Sequence, residues 1–257
     1  MATQTLLQYL SISLPTLPLQ RVSRSHNTTN SQYNHRDITQ ILPWPEFNYD
    51  SIIQEYGLVL NSSWITPQPF MSPPAAIRDE ALLQMRWADM IQPRLRRALR
   101  ASFEQLAAAV QAGQLTPIQY DGGSTAELVN NFKPDTAFVV LGSDYATSPN
   151  RGPGDMKVSW KWNSEMLHST EVADQIEYRQ VLSQVNWYMR QHKSHYGYIL
   201  TNTEFVAVRR VEETNGRLAL ATPIPWSAGG PEQLSVLLGL WYLAMLTSRN
   251  DWSLEAR

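Results

Sequence analysis

Two aspartates, a lysine and a helix-like segment follow one another in a fixed order in the middle of this chain. Lys133-Pro134-Asp135 opens an apolar run, and Asp155-Met156-Lys157 begins twenty residues after that first aspartate. Residues 173–193 then return to helical spacing and carry Gln184 and Tyr188. This order predicts a strand, a turn-rich connection, a second strand and a helix, which restricts the fold to classes that mix strands with helices.

Strand-like and helix-like segments continue on both sides of this centre. The residues after Pro74 have helical spacing, and Pro93 is expected to kink or split that helix because proline lacks the amide hydrogen. After the central helix come three strand-like segments and a last helix through Leu246. We therefore expect an α/β fold, a mixed α+β sheet flanked by helices. The expected strands are TPIQY, DTAFVVL, MKVSW, YGYIL, EFVAVRRV and LALATPIPW, with a short helical AELVNN before the second.

Residues 1–74 differ in composition from the rest of the chain. They hold eight of the sixteen prolines and include a polar stretch, RVSRSHNTTNSQYNHRDITQ, with few apolar side chains to bury. We expect a Pro-rich, partly disordered N-terminal arm at 1–74, in which 42–70 packs against the core in mostly irregular structure. Residues 75–257 are expected to form one domain that includes the C-terminal helix.

Composition excludes several functional classes. Cysteine is absent, so disulfides, thiolate nucleophiles and Cys-ligated zinc are excluded. A net charge of −2 gives no general attraction to polyanions. The most apolar segment, Leu234 to Leu246, is shorter than the ~20 residues that a membrane-spanning helix needs. We expect an intracellular protein of the nucleus or cytoplasm, with no membrane association and with its oligomeric state left open.

The two aspartates are candidate ligands for a divalent cation. Adjacent strands lie ~4.8 Å apart, so Asp135 and Asp155 can share one ion, to which Met156 could add its backbone carbonyl. Mg²⁺ takes one or two protein carboxylates and keeps several waters. Lys157 lies two residues after Asp155, hence on the same face of the strand, where its ammonium group can orient or activate a metal-bound water. The pattern supports hydrolysis of a phosphodiester with Mg²⁺ or Mn²⁺ as cofactor.

A polar stripe on the following helix is expected to face the same cleft. Gln184 and Tyr188 are four residues apart and therefore share one helical face, which Gln180 and Gln191 extend. Glutamine amides can hydrogen-bond to phosphate or to metal-bound water, and tyrosine offers a hydroxyl group and a ring on which a base can stack.

Taken together, KPDTAFVV, PGDMKVSW and QVNWY resemble the PD-(D/E)XK nuclease superfamily, in particular its exonuclease-like branch with Gln-x-x-x-Tyr. The chain is also similar to uncharacterised fungal proteins assigned to that superfamily. The resemblance covers roughly residues 75–226. It implies a restriction-endonuclease-like core and metal-dependent cleavage of DNA, in which the catalytic residues are Asp135, Asp155 and Lys157, supported by Gln184 and Tyr188.

The resemblance also implies a further acidic ligand from the first helix, for which Glu80 is the candidate and Glu104 the second choice. The chain departs from the family pattern at Asp155, where the family more often has glutamate. No dense basic cleft is visible in the composition; the one basic cluster, Arg94 to Arg100, is expected to be a solvated helical face or, alternatively, a set of phosphate contacts.

Two alternatives to nuclease activity stay open at this stage. In the first, the fold is catalytically degenerate and serves as an interaction module: Asp135 and Asp155 cap turns, and Lys157 forms an ordinary salt bridge with them. In the second, the scaffold is a small-molecule enzyme or binder of specialised metabolism. Abundant tryptophan and tyrosine and the weak basicity of the chain motivate this second alternative.

Overall fold

A mixed β-sheet of eight strands forms the centre of the molecule. The structure is a computed structural model that describes residues 2–20, 26–27, 29–70, 72–211 and 216–254. A separate two-stranded sheet pairs β1 with β3. The strands are β1 (Gln4–Thr5), β2 (Gln40–Pro43), β3 (Trp64–Ile65), β4 (Ile118–Gly122), β5 (Thr136–Val140), β6 (Gly154–Met156), β7 (Tyr196–Leu200), β8 (Glu204–Arg210), β9 (Arg217–Leu220) and β10 (Ile224–Pro225).

The large sheet has the order β2-β9-β8-β7-β6-β5-β4, and β10 pairs with β8 outside this path. The pairs β6–β7 and β2–β9 are parallel, whereas the other pairs of this sheet are antiparallel. The parallel β6–β7 pair needs a long crossover, which contains the longest helix. The expected α/β class, a mixed sheet with flanking helices, is confirmed.

The helices are α1 (Leu6–Leu10), α2 (Tyr49–Ser62), α3 (Glu80–Met90), α4 (Gln92–Gln105), α5 (Ala107–Gln111), α6 (Val172–Gln191) and α7 (Val236–Thr247). The expected break at Pro93 is confirmed, since α3 ends at Met90 and the proline lies in the first turn of α4. Among the described residues, no helix combines the length and the apolar character required to cross a bilayer.

The helices cover the sheet on both faces. On one face α6 packs against Ile199, Val206 and Val208. On the other face α4 and α7 belong to the large core cluster with Tyr120 and Leu200. Because side chains alternate along a strand, Asp155, which pairs with Ile199, lies on the α6 face.

The structure corrects two local expectations around the motif. The expected helix at AELVNN is wrong: Asn130 and Asn131 both have positive φ, 51° and 61°, and form a turn between the bridged residues Val129 and Phe132. The strand expected at 156–160 is instead Gly154–Met156, so Asp155 lies inside it and the chain turns away soon after Lys157.

The segment 42–70 packs against the core as expected, but it is not mostly irregular. It contains the 14-residue helix α2, whose first turn is capped by the Asn48 side chain, which accepts a hydrogen bond from the Ser51 amide at 2.8 Å. Ile52 and Leu60 on this helix are completely buried. The polar stretch expected to be disordered lies partly outside the described residues, and the division at residue 74 stays a prediction.

The basic cluster on α4 is not a solvated face at Arg94, which is 2% exposed. Its guanidinium group donates to the carbonyl of Gln68 at 2.7 Å and lies over the ring of Phe70. Arg97 donates to the Gln68 side chain at 3.0 Å. These two arginines hold the segment before α3 against the core.

Candidate active site

Asp135 and Asp155 lie on neighbouring strands at one end of the sheet. Thr136 pairs with Gly154, so Asp135 directly precedes one member of this pair and Asp155 directly follows the other. Asp155 is buried and Asp135 is partly buried, and each is close enough to Lys157 to interact with it electrostatically. The two acids and the lysine therefore lie close together, as the sequence predicts.

Lys157 forms a short ion pair with Asp155. Its Nζ lies 2.6 Å from Asp155 Oδ2, and both side chains are almost completely buried. Burial alone would lower the pKa of Lys157, but the carboxylates of Asp155, Asp135 and Glu80 together raise it above its ordinary value. Lys157 is therefore an ammonium ion at neutral pH.

Asp135 is held by two hydrogen bonds from different elements. Gln84 Nε2 on α3 donates to Asp135 Oδ1 at 2.7 Å, and the backbone amide of Met156 donates to Oδ2 at 2.7 Å. Burial, and next the negative charge of Asp155, raise the pKa of Asp135 to about 7 although Lys157 acts in the opposite direction. Burial likewise raises the pKa of Asp155, and Lys157 offsets part of that increase.

Gln84 was not identified from the sequence. It lies one helical turn after Glu80, on the same face of α3, and this i to i+4 spacing is the signal that could have revealed it.

Glu80 lies at the start of α3, near the acidic pair but engaged with another group. Its Oε1 is 3.3 Å from Nζ of Lys161, and its charge raises the pKa of Asp135 and of Lys157. Within the ranges that the structure describes, no three His, Cys, Asp or Glu side chains converge as a metal site. A ligand role for Glu80 stays a prediction.

The charges of the cluster show how well a divalent cation fits. The carboxylates of Asp135, Asp155 and Glu80 face the ammonium groups of Lys157 and Lys161, so one negative charge is unmatched when all are ionised. Burial, and next the charge of Asp155, raise the pKa of Asp135 to about 7 in this cluster. The two carboxylates, and the Met156 carbonyl that the sequence suggests, would be oxygen donors for a cation. Mg²⁺ and Mn²⁺ prefer such donors.

Gln184 and Tyr188 share one face of α6, as their spacing predicts, and both side chains are buried. Gln184 Nε2 donates to the Tyr188 hydroxyl at 2.9 Å. Burial, and next the charge of Asp155, raise the pKa of Tyr188. The outer glutamines of the stripe form hydrogen bonds with other segments of the chain. Gln180 accepts a hydrogen bond from the His35 amide at 3.0 Å, and Gln191 donates one to the Val129 carbonyl at 3.1 Å.

Tyr33 adds a second tyrosine that the sequence did not reveal. Its side chain is 4% exposed and interacts electrostatically with Asp155, Lys157 and Tyr188. Its ring contacts Phe132 edge-on with centroids 6.3 Å apart. The residue belongs to a polar stretch far from the motif in sequence, so local patterns carry no signal for its position.

A small pocket reaches Asp135 from the side of β4. It has a volume of about 230 Å³, and its lining includes Asp135, Met156, Gln84, Lys133 and the turn Gly122–Ser124. The pocket gives small polar groups access to the Asp135 carboxylate. It is smaller than the ~300–1,000 Å³ that is usual for drug-sized ligands.

Comparison with known proteins adds little to this geometry. No family model and no curated protein matches the chain. A solved structure described as "cryoEM structure DrdV-DNA complex" aligns with 59% of this chain at 16% identity and a TM-score of 0.25. This chain spans 11% of the length of that one. At such a TM-score the likeness carries no argument about function.

Proposed function

We propose that this protein is a metal-dependent phosphodiesterase of the PD-(D/E)XK type that cleaves DNA with Mg²⁺ or Mn²⁺. The observation that carries the proposal is the cluster of Asp135, Asp155 and Lys157 on neighbouring strands, in which two carboxylates face one ammonium group. A purely structural ion pair needs only one carboxylate for one ammonium group. A bound divalent cation would compensate the negative charge of the second carboxylate.

Each residue has a distinct role in this proposal. Asp135, Asp155 and the Met156 carbonyl would hold the cation, and Gln84 fixes the orientation of Asp135. When bound, the cation would supply a water of lowered pKa and positive charge for the phosphate. Lys157, which the neighbouring carboxylates favour as an ammonium ion, would donate to a phosphate oxygen and stabilise its charge. Gln184 and Tyr188 present an amide and a hydroxyl group to the same phosphate.

Cleavage of supercoiled DNA tests the proposal. The full chain with Mg²⁺ or Mn²⁺ should nick the plasmid, and chelation should stop the reaction. Asp155→Asn and Lys157→Met should each lower the rate by at least about 100-fold, because the first removes a carboxylate that would hold the cation and the second removes a positive charge that would stabilise the reacting phosphate. Asp144→Asn, in an exposed loop, is the matched control and should cut like the wild type. Equal rates in all four proteins would assign the cleavage to a contaminant.

One observation favours a second candidate, a catalytically degenerate fold that serves as an interaction module. Lys157 Nζ and Asp155 Oδ2 are 2.6 Å apart, which satisfies both charges without a metal ion. Calorimetric titration with Mn²⁺ separates the candidates. If the site is active, the wild type binds the ion and Asp155→Asn does not; if the fold is degenerate, neither the wild type nor Asp155→Asn shows a heat of binding.

A further inference from the structure

A second pocket, of about 500 Å³, is lined by residues of α3 and α4 and by the prolines that precede α3. Its volume lies within the ~300–1,000 Å³ that is usual for small-molecule sites. The apolar part of its described lining consists of Pro67, Pro69, Phe70, Pro73, Pro74 and Met90. Because the proline ring fixes φ, this wall is restricted before a ligand binds, and binding then costs less ordering.

The charged residues of the lining leave one positive charge unmatched. Among the described residues that line the pocket, the charged ones are Arg86, Asp89 and Arg94. Arg86 Nη1 donates to Asp89 Oδ2 at 3.1 Å, and the Asp89 side chain is 63% exposed. Exposed ion pairs of this kind are weak, so a carboxylate from a ligand can compete for Arg86.

Arg94 is a buried cation without an acidic partner. It is 2% exposed, its two Nη atoms donate to the carbonyls of Met90 at 2.8 Å and Gln68 at 2.7 Å, and its buried Nε has no partner among the described residues. Burial lowers the pKa of Arg94, and the groups that act on its charge are Tyr9 and Arg97, neither of them an anion at neutral pH. Buried charges are usually paired because their desolvation is costly, and an anion in the pocket that Arg94 lines would reduce this cost.

The charge of the lining selects the class of anion. Arg86 and Arg94 against Asp89 give one net positive charge, which a monoanion neutralises. A carboxylate is a monoanion at neutral pH, whereas a phosphate monoester carries about −1.5 to −2. The planar donors of a guanidinium group also fit the two oxygens of a carboxylate.

We propose that this pocket binds a small monocarboxylic acid with an apolar body. The carboxylate pairs with Arg86 and is attracted by the charge of Arg94, and the body contacts Phe70, Met90 and the prolines. The site goes beyond the proposed function, since it uses neither a metal ion nor a nucleic acid. The described linings of this pocket and of the pocket at Asp135 share no residue.

A matched pair of probes tests the proposal. The metal-free full chain, in a buffer without carboxylates, is titrated with 2-naphthoate and with its uncharged amide, 2-naphthamide, by ligand-observed NMR. We expect 2-naphthoate to bind with a Kd of about 1 mM or tighter, and 2-naphthamide to bind at least about tenfold more weakly, because the amide has the same shape without the charge. Absence of saturable 2-naphthoate binding, equal Kd values for the two probes, or tighter binding of 2-naphthyl phosphate would each overturn the proposal.

Two variants with opposite effects locate the carboxylate. Arg86→Gln should weaken 2-naphthoate binding about tenfold and leave 2-naphthamide binding unchanged, because the guanidinium partner is lost. Asp89→Asn should strengthen 2-naphthoate binding about twofold, because the competing carboxylate is removed. Arg78→Gln is the matched control: Arg78 Nε lies 3.6 Å from Asp79 Oδ2 in another exposed pair, and neither residue lines the pocket.

The outcomes separate this inference from the proposed function. Weaker binding in Arg86→Gln together with stronger binding in Asp89→Asn supports the site, and an equal loss in Arg78→Gln overturns it by assigning the binding to general surface charge. A protein that binds 2-naphthoate in this way and cuts no DNA keeps the carboxylate site and refutes the nuclease proposal alone. A protein that cuts DNA and binds no 2-naphthoate refutes the carboxylate site alone.

Discussion

Asp135 couples the protonation of the site to the stability of the whole fold. Its pKa is about 7 in the folded chain, against an ordinary value of 3.8. Between these values the native state keeps a proton that the unfolded chain releases, so the free energy of unfolding falls as pH rises through this window and levels off above it. The ionised form of Asp135, which a bound cation would require, therefore lowers the free energy of unfolding.

Asp135→Asn should remove that cost. We expect the free energy of unfolding at pH 8 to rise by about 1–3 kcal/mol, and its decline between pH 5 and pH 8 to become smaller, because the amide cannot ionise. Urea denaturation at both pH values measures this, with the exposed Asp144→Asn as control. A variant that is less stable than the wild type at pH 8 would show that the carboxylate is compensated within the protein alone.

Gln84 acts on the site through Asp135. Its amide donates to Oδ1 at 2.7 Å and so favours the ionised carboxylate. Gln84→Leu should raise the pKa of Asp135 further, by about 0.5–1 unit, which NMR titration of the aspartate carboxyl carbons measures. Gln105→Leu, at an exposed position on α4, is the control. An unchanged titration of Asp135 would contradict a positioning role.

At the scale of elements, the pairing of β5 with β6 depends on Gly154. A Cβ at this position would overlap the ring of Tyr198 and the hydroxyl group of Thr136. The hydroxyl groups of these two residues are hydrogen-bonded to each other. Gly154→Ala should therefore lower the free energy of unfolding by about 2–4 kcal/mol. On β4, a Cβ at Gly122 meets nothing within 4 Å. Gly122→Ala should leave stability unchanged or raise it by up to about 1 kcal/mol, so equal losses in the two variants would refute the steric argument.

Elements with local signals were predictable. Helix α6 was expected at 173–193 and spans Val172–Gln191, and the break at Pro93 follows from proline chemistry alone. Helix α2 also had a local signal, the Asn48 cap followed by apolar residues at helical spacing, but the prolines around it dominated the interpretation. The helix predicted at AELVNN was wrong, because its two asparagines adopt positive φ and form a turn where composition alone permits a helix.

The site itself was only partly predictable from the sequence, because some of its residues meet only through the packing of elements that are distant in sequence. Asp155 lies in β6 and Lys157 directly follows this strand, so the side on which both lie follows from the alternation of side chains in extended chain. Gln84 reaches Asp135 across 51 positions of sequence, and Tyr33 reaches the site from the N-terminal segment. Such contacts depend on the packing of whole elements, which no local pattern contains.

At the scale of the whole molecule, the N-terminal residues belong to the same core as the site. Leu6 and Leu10 of α1 are completely buried, and β2 extends the large sheet beside β9. The Ser235 hydroxyl, at the start of α7, donates to the Leu10 carbonyl at 2.5 Å. Removal of this segment would uncover apolar surface on α4 and α7, so cooperative unfolding should include it.

A matched pair of leucines on α2 tests whether residues 1–74 fold with the remainder. Leu60 is 0% exposed and Leu58 is 83% exposed, two positions apart on one helix. Leu60→Ala should lower the global free energy of unfolding by about 2–4 kcal/mol in one transition, seen alike by tryptophan fluorescence and far-UV circular dichroism. Leu58→Ala should change it by less than about 0.5 kcal/mol. If Leu60→Ala instead produced an early separate transition with the main one unmoved, the N-terminal region would be an independent arm, and the boundary expected at residue 74 would hold.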